Sequence, residues 1–465
     1  MNRMRAIAKA ILLAAVKPAL AGTITVNSLA DNGPGNCNTA CTLRDAIATA
    51  NSGDTIQFGI ALPWTIVLSG SELSIGTPVN IVGPGAGLLS VSAANNSRVV
   101  GVNASNVTIS GLTLRDGHVF GAFGAPGDVG GPGNMGGSAL GSCVYVHSGA
   151  QLTLARAAVT ACSAQAGNGG KGGNGISNVS GPGGQGGPGG TGGSALGAIF
   201  SSGDLTIVQS SVSGCTLSAG GGGSGGLSGY GGATMTHYPA GSGGIGGVAY
   251  GGGVYAGGGT LLINNSTIGG CTLAGGTGGG GGFGAASYGG GAGAGGPASG
   301  GSVFINASVQ LSDVEFSTLT GNSLTAGNGA SYPAQALGGV IVAAAFDSRT
   351  PSSVKSSIIA SVNADPDCAG TLNAQGSNFD QNQSCSGFTL HGAVTAVLRP
   401  LAAKFDGTFF FEPVFGSSVI DAALSCTLLD NSASASDQHG TPRPRGLACD
   451  LGSIETDYVF AGSFE

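Results

Sequence analysis

Ile207-Val208-Gln209-Ser210-Ser211-Val212-Ser213-Gly214-Cys215 is one instance of a frame that the chain repeats. Leu154, Ile207, Ile263 and Val314 are each followed five residues later by Val159, Val212, Ile268 and Leu319, and three residues after that by Cys162, Cys215, Cys271 and Asn322. The frame recurs at intervals of 53, 56 and 51 residues. Such a recurrence means stacked supersecondary units, because each unit can bury its apolar edge only against the next. These positions form the expected core ladder.

Working outward, Ile109 and Leu114 keep the five-residue step, and Val354, Ile359 and Val362 keep the full frame, so the regular body spans about 55–365. Short β-rich runs such as Thr55-Ile56-Gln57-Phe58 and Val79-Asn80-Ile81-Val82 alternate side chains, with Gly, Pro and Asn at the corners. Glycine tracts interrupt the body at 121–137, 167–193, 219–247 and 274–301. Gly181, Gly184, Gly187, Gly190 and Gly193 fall every third residue, as do Gly220, Gly223, Gly226, Gly229 and Gly232. That period belongs to the polyproline II helix, where glycine along one edge lets backbones approach. Two readings stand. The tracts leave one corner of successive coils and pack as a bundle, or they are mobile loops whose spacing arises by chance at this glycine density. Without a strict Gly-X-Y run rich in proline, a collagen is excluded.

Of 465 residues, 94 are glycine and only 8% are charged, far below the usual quarter, which argues against a solvated disordered chain. Residues 1–21 read as a secretory signal: Arg3, Arg5 and Lys9 form a basic start, Ala10–Val16 a short apolar run cut off by Lys17-Pro18, and Ala19-Leu20-Ala21 a small-residue cleavage site. Removing it leaves 11 Lys+Arg against 22 Asp+Glu, a net charge of −11 in place of −7. An acidic chain without a Lys/Arg stripe excludes phosphate-driven nucleic-acid binding. No later stretch approaches the roughly 18 apolar residues of a membrane helix.

Ten cysteines in an exported chain favour disulfides. Cys37 with Cys41, Cys368 with Cys385 and Cys426 with Cys449 are local pairs. Cys143 and the three ladder cysteines remain. Neighbouring strands lie about 4.8 Å apart, which suits either one oxidised ladder pair or a buried stack of thiols. No His lies near Cys37 or Cys41, and His118, His147, His237, His391 and His439 show no ligand spacing, so neither zinc nor another cofactor is expected.

In the 22–60 segment Thr42 caps a short helix, Asp45 completes a capping box, and Gly53 stands as the stop. Asn36-Cys37, Cys41-Thr42-Leu43-Arg44-Asp45-Ala46-Ile47, Ala50-Asn51 and Gly53-Asp54-Thr55-Ile56 resemble the CSLREA domain, with Thr42 for Ser and Asp45 for Glu. That resemblance implies a right-handed parallel β-helix downstream in an exported bacterial protein. Gly203-Asp204-Leu205-Thr206-Ile207 and Ser210-Ser211-Val212-Ser213-Gly214 look like its repeats. Residues 366–455 are similar to the choice-of-anchor Q family, through Pro366-Asp367-Cys368-Ala369-Gly370-Thr371, Gly376-Ser377-Asn378, Ser418-Val419-Ile420-Asp421-Ala422, Asp437-Gln438-His439-Gly440-Thr441-Pro442-Arg443-Pro444 and Cys449-Asp450-Leu451-Gly452-Ser453-Ile454-Glu455. His439 stands where an Arg is usual, and Ser453-Ile454 replaces an Ala-Phe. Residues 456–465 read as a short exported-protein tail.

The β-helix class so implied includes pectin lyases and polygalacturonases, so chemistry must be weighed. Glycoside hydrolysis needs two flanking carboxyls; a lyase needs a base and a cation for the developing enolate. Carboxylates are scarce in the body. Arg115-Asp116-Gly117-His118 is the best enzyme candidate, although Asp-Gly after an apolar strand also signals a turn. Asp313 and Glu315 share an i, i+2 spacing and one strand face. Asp365 and Asp367 fall short of the six to eight oxygens calcium takes. Asp421, Asp437, Arg443, Arg445 and Asp450 read as an ion-pair and turn network closing the last coil. The expectation is an all-β right-handed parallel β-helix with a short N-terminal capping helix and long glycine-rich excursions. Its expected role is structural, adhesive, or glycan- or surface-binding, with self-association as a further partner. The alternative is a polysaccharide lyase or glycoside hydrolase.

Overall fold

The computed structural model describes residues 21–456 except 34, 62, 232–237, 285–287, 330–335, 338, 344–351 and 364. Nearly all of the expected signal segment and tail lie outside the described residues, as does Gly232.

The chain is a right-handed parallel β-helix with three long faces. One coil shows the plan. Asp204–Val208 lies on the first face and Ser211–Ser213 on the second; the chain then leaves through Thr216–Ser218, returns through Ala249–Tyr250, and closes the coil with Val254–Ala256 on the third face. The first two faces are ten-stranded sheets and the third is eight-stranded, all parallel. Parallel pairing starts where Thr23–Val26 joins Thr55–Phe58 and ends at Leu390–His391, so the solenoid takes in residues on both sides of 55–365.

The apolar frame stacks in register. Leu154 lies beside Ile207, Ile207 beside Ile263 and Ile263 beside Val314. Val159, Val212, Ile268 and Leu319 form the next column. All eight are essentially inaccessible. Between the first two faces the chain turns on one residue per coil with positive φ: Arg156, Gln209, Asn265, Phe316 and Ser356, between 43° and 51°. Inside this corner the amide of Ser210 donates to the hydroxyl of Ser266, Ser266 to Ser317, Ser317 to Ser357, and Ser357 to Asn378 Oδ1. The ladder satisfies buried N–H groups that the sheets cannot reach.

The helix Leu43–Thr49 carries the capping box between Thr42 and Asp45. It ends at Ala50 in extended backbone, and Gly53, at φ +89°, instead turns the chain toward Thr55. A second, one-turn helix spans Val394–Val397.

Cys37–Cys41, Cys368–Cys385 and Cys426–Cys449 are bonded. A fourth disulfide joins Cys143 to Cys162, so no two ladder cysteines pair with each other; Cys215 and Cys271 are buried thiols.

The described stretches of the glycine tracts pack against one another. Each coil sends out one extended segment and brings back another. Between coils, outgoing segments bond in parallel: Gly169 to Gly221, Gly172 to Ser224 and Gly175 to Leu227, each 2.8 Å. Outgoing and returning segments bond antiparallel, as Gly167 to Gly137, Gly170 to Asn134 and Gly173 to Gly131. Bonds every third residue are those of packed polyproline II helices. The bundle projects as a two-layered blade, and glycine is required by proximity: a Cβ at Gly170 would lie 1.9 Å from Ala125 O.

Candidate functional site

The residues singled out for catalysis do not converge. Asp116 occupies a corner at φ +55°, takes a hydrogen bond from Ser92 Oγ at 2.7 Å, and pairs with its neighbour Arg115 at 3.3 Å. His118 Nδ1 bonds Ser163 Oγ at 2.7 Å on the next coil. Asp313 and Glu315 share the first face. Glu315 is almost fully buried, and its carboxylate accepts the amide of Leu429. Burial raises its pKa to about 7, and burial likewise raises that of Asp313. The Arg115–Asp116–His118 group and the Asp313–Glu315 pair thus lie on different faces, each bonded to its own neighbours.

Glu315 meets Leu429 because the C-terminal segment runs back along the corner between the first two faces. Lys355 Nζ donates to Thr427 Oγ1 and Leu428 O, Asn265 Nδ2 to Ser434 Oγ, and Gln209 Nε2 to Ser436 Oγ and Asp437 O. The segment therefore descends the solenoid one coil at a time, as a strap. Phe316, Ile358 and Phe379 pack beneath it with Phe411, Val419 and Leu451 in a second core. The charged cluster belongs to this strap. Arg443 lies buried between Glu455 and the carbonyls of Asp450 and Gly452, over the Phe316 ring. Asp450 accepts the amide of Asp421, Asp421 that of Ala448, and Asp437 those of His439, Thr441 and Glu455; the Arg445 amide donates to Glu455. The network thus ties the C-terminal segment to itself, and Arg443 seats it on Phe316 of the solenoid. Asp367 takes amides of Ser361, Gln381 and Asn382.

A feature that the ladder frame did not reveal lies on the third face. Tyr145, Phe200, Tyr255 and Phe304 stack with centroids 4.9, 5.2 and 5.2 Å apart, with Arg98 over Tyr145. Their recurrence in the strands Val144–Val146, Ile199–Ser201, Val254–Ala256 and Val303–Ile305 was the available signal. Each inner ring spends both faces on its neighbours, so the stack stabilises the solenoid and leaves edges, not faces, for a sugar.

The blade presents regular outer faces. The bonds from Gly136 to Thr191, Gly192 to Ile245 and Gly246 to Ala294 place Met135, Thr191, Ile245 and Ala294 in one row on the returning layer, with Thr191 and Ala294 half-buried between the exposed Met135 and Ile245. Pro132, Pro188, Ser242 and Gly291 form a second row, by the bonds from Gly133, Gly189 and Gly243. Met135 and Ile245 are 71% and 53% exposed, and neither row holds a charge. Spacing follows from the two helical repeats: ~9 Å along each segment and ~4.8 Å between coils. The opposite face presents Phe123, Lys171, Leu227 and Phe283, with Phe283 at 84% exposure.

No protein-family model matches the chain, and no curated protein sequence matches it. Among solved structures, a pectate lyase, Pel9A, is similar over 94% of this chain and 98% of its own, at 14% identity and a TM-score of 0.35. A mannuronic-acid-specific family 6 polysaccharide lyase from human gut microbiota is similar over 78% of this chain and 86% of its own, at 8% identity and a TM-score of 0.19. At these values the likeness carries no argument; the fold rests on the strand pairing itself. Among the described residues no helix is long and apolar enough to cross a membrane, and no group of His, Cys, Asp or Glu could hold a metal ion.

Proposed function

We propose that the protein is an exported or cell-surface β-helix that holds its glycine blade outward to adhere to repeating uncharged surfaces, polysaccharide above all. One observation carries the reading: the two rows on the returning layer form an uncharged face whose side chains recur by coil and by every third residue. Flat, regular and rigid, such a face loses little entropy on meeting another regular surface. Four disulfides and the CSLREA-like and anchor-Q-like ends support export. The lyase or hydrolase alternative would require an acid, a base and a cation facing one sugar, and the candidates named for it are engaged elsewhere.

Adsorption to insoluble cellulose, chitin and a charged resin tests the proposal. Binding to an uncharged polysaccharide that persists in high salt, and is lost in a double variant Thr191→Lys/Ile245→Lys of unchanged circular dichroism, is the expected result. Equal adsorption of the variant, or adsorption to the charged resin alone, overturns it.

A further inference from the structure

A cleft of about 530 Å³ opens where the strap crosses the early coils. One side is formed by the turn Gly83–Ala86, Gly111 and Arg156, the other by Asp406, Thr408, Gln438 and His439. It lies on the corner between the first two faces, away from the blade.

His439 marks the cleft as a ligand site. Its side chain is 3% exposed, with the edge of Phe410 against the ring, yet Nε2 has no hydrogen-bond partner. An orphaned buried nitrogen costs free energy unless something fills the gap. Asp406 Oδ2 lies 3.9 Å from Nε2, too far for a direct bond. Asp406 Oδ1 is already used by the amide and hydroxyl of Thr408, which fixes the carboxylate and leaves Oδ2 toward His439. Burial lowers the pKa of His439, so the ring is neutral near pH 7 and takes part in a hydrogen bond rather than an ion pair.

Arg156 supplies the opposite pole. It stands exposed on its corner, without an ion pair or side-chain hydrogen bond among the described residues. With one carboxylate and one guanidinium the cleft is electrically balanced, and the rest of its wall mixes hydroxyl, amide and peptide groups with the apolar Val82, Pro84 and Ala86. Such a lining matches a neutral ligand rich in hydroxyls.

We propose that this cleft binds a neutral saccharide, one sugar hydroxyl bridging Asp406 and His439 and a neighbouring pair of hydroxyls taking the forked donors of Arg156. The site is independent of the adhesive blade.

The test is titration calorimetry of the full chain with glucose, galactose, mannose, their β-linked disaccharides and galacturonate. Saturable binding of at least one neutral sugar is expected, weakened at least about tenfold in Arg156→Gln and in Asp406→Asn, equivalent to about 1.4 kcal/mol each. Arg156→Gln alters an exposed side chain and so retains the fold; Asp406→Asn keeps the oxygen that serves Thr408. Binding should survive in the Thr191→Lys/Ile245→Lys blade variant, which separates the two proposals. No binding of any neutral sugar, undiminished binding in both cleft variants, or binding of galacturonate alone overturns the inference, leaving only water in the cleft or a ligand of different charge.

Discussion

At the residue scale, the disulfide pattern follows from which residue faces each ladder cysteine across the coil. Cys143 immediately precedes Val144, and Val144, Ile199, Val254 and Val303 are in register. The residues equivalent to Cys143 are therefore Ala198, Gly253 and Ser302. Cys162 meets Cys143 and bonds to it. By this register Cys215 lies across from Ala198, and Cys271 lies against Gly252, so neither has a disulfide partner in that strand and both stay reduced. At the last rung Asn322 Nδ2 donates to Ser302 Oγ at 2.8 Å, a hydrogen bond in the place of the covalent one. The substitution Ala198→Cys should therefore create a fifth disulfide with Cys215. Thiol titration after denaturation should count two free cysteines in the parent chain and one in the variant, with melting raised by a few degrees. Three thiols in the variant would show that the pair does not meet. Among cysteines the local pairs could be read from spacing, but Cys143 lies outside the repeating frame and its partner could be assigned only once the register of the third face was known.

At the level of elements, the columns of Ile207 and Val212 were legible because strand side chains repeat with the coil, and the three-residue glycine period was legible as a helix signal. The serine ladder was equally present, since Ser210, Ser266, Ser317 and Ser357 each stand three residues after a ladder aliphatic, but serine on a corner reads as ordinary turn chemistry. What composition could not decide was whether the tracts pack. Their order depends on contacts between segments some fifty residues apart, such as Gly190 against Asn134, and no local pattern encodes that pairing. The lattice is sensitive to position. A Cβ at Gly190 would lie 2.0 Å from Asn134 O, whereas one at Gly280 meets nothing within 4 Å. Gly190→Ala is expected to cost roughly 1–3 kcal/mol or more and to open the tracts to proteases. Gly280→Ala should leave both stability and protease resistance unchanged. Equal digestion of the two variants and the parent would refute the packed blade.

For the whole molecule, the strap changes what a solenoid usually is. Stacked coils contact only their neighbours, and their stability is close to a sum of rungs. Here residues 427–437 tie Lys355, Glu315, Asn265 and Gln209 to one covalent segment, with partners up to 228 positions apart. Those contacts join side chains of unremarkable type and have no period, which is why the sequence shows the charged C-terminal cluster but not where it docks. Glu315 makes the strap sensitive to pH. Its pKa is about 7 in the folded chain against an ordinary value near 4.5. Between these values the folded state holds a proton that the unfolded state releases, so its contribution favours folding below about pH 4.5, declines as pH rises through 7, and is level above. The loss is at most about 3 kcal/mol. Comparing chemical denaturation at pH 5 and pH 8, Glu315→Gln should flatten this difference while preserving the acceptor for Leu429. A pH dependence identical to that of the parent would remove Glu315 as its source.

The blade is cemented by peptide groups where most domains use hydrocarbon, and this sets its response to cold. Hydrophobic attraction fades on chilling, whereas pulling apart glycine segments exposes mainly amides, whose hydration lowers rather than raises the heat capacity. The projecting part of this protein is thus the part whose cohesion should weaken least toward the freezing point, a property that amide exchange rates along 167–193 would register directly.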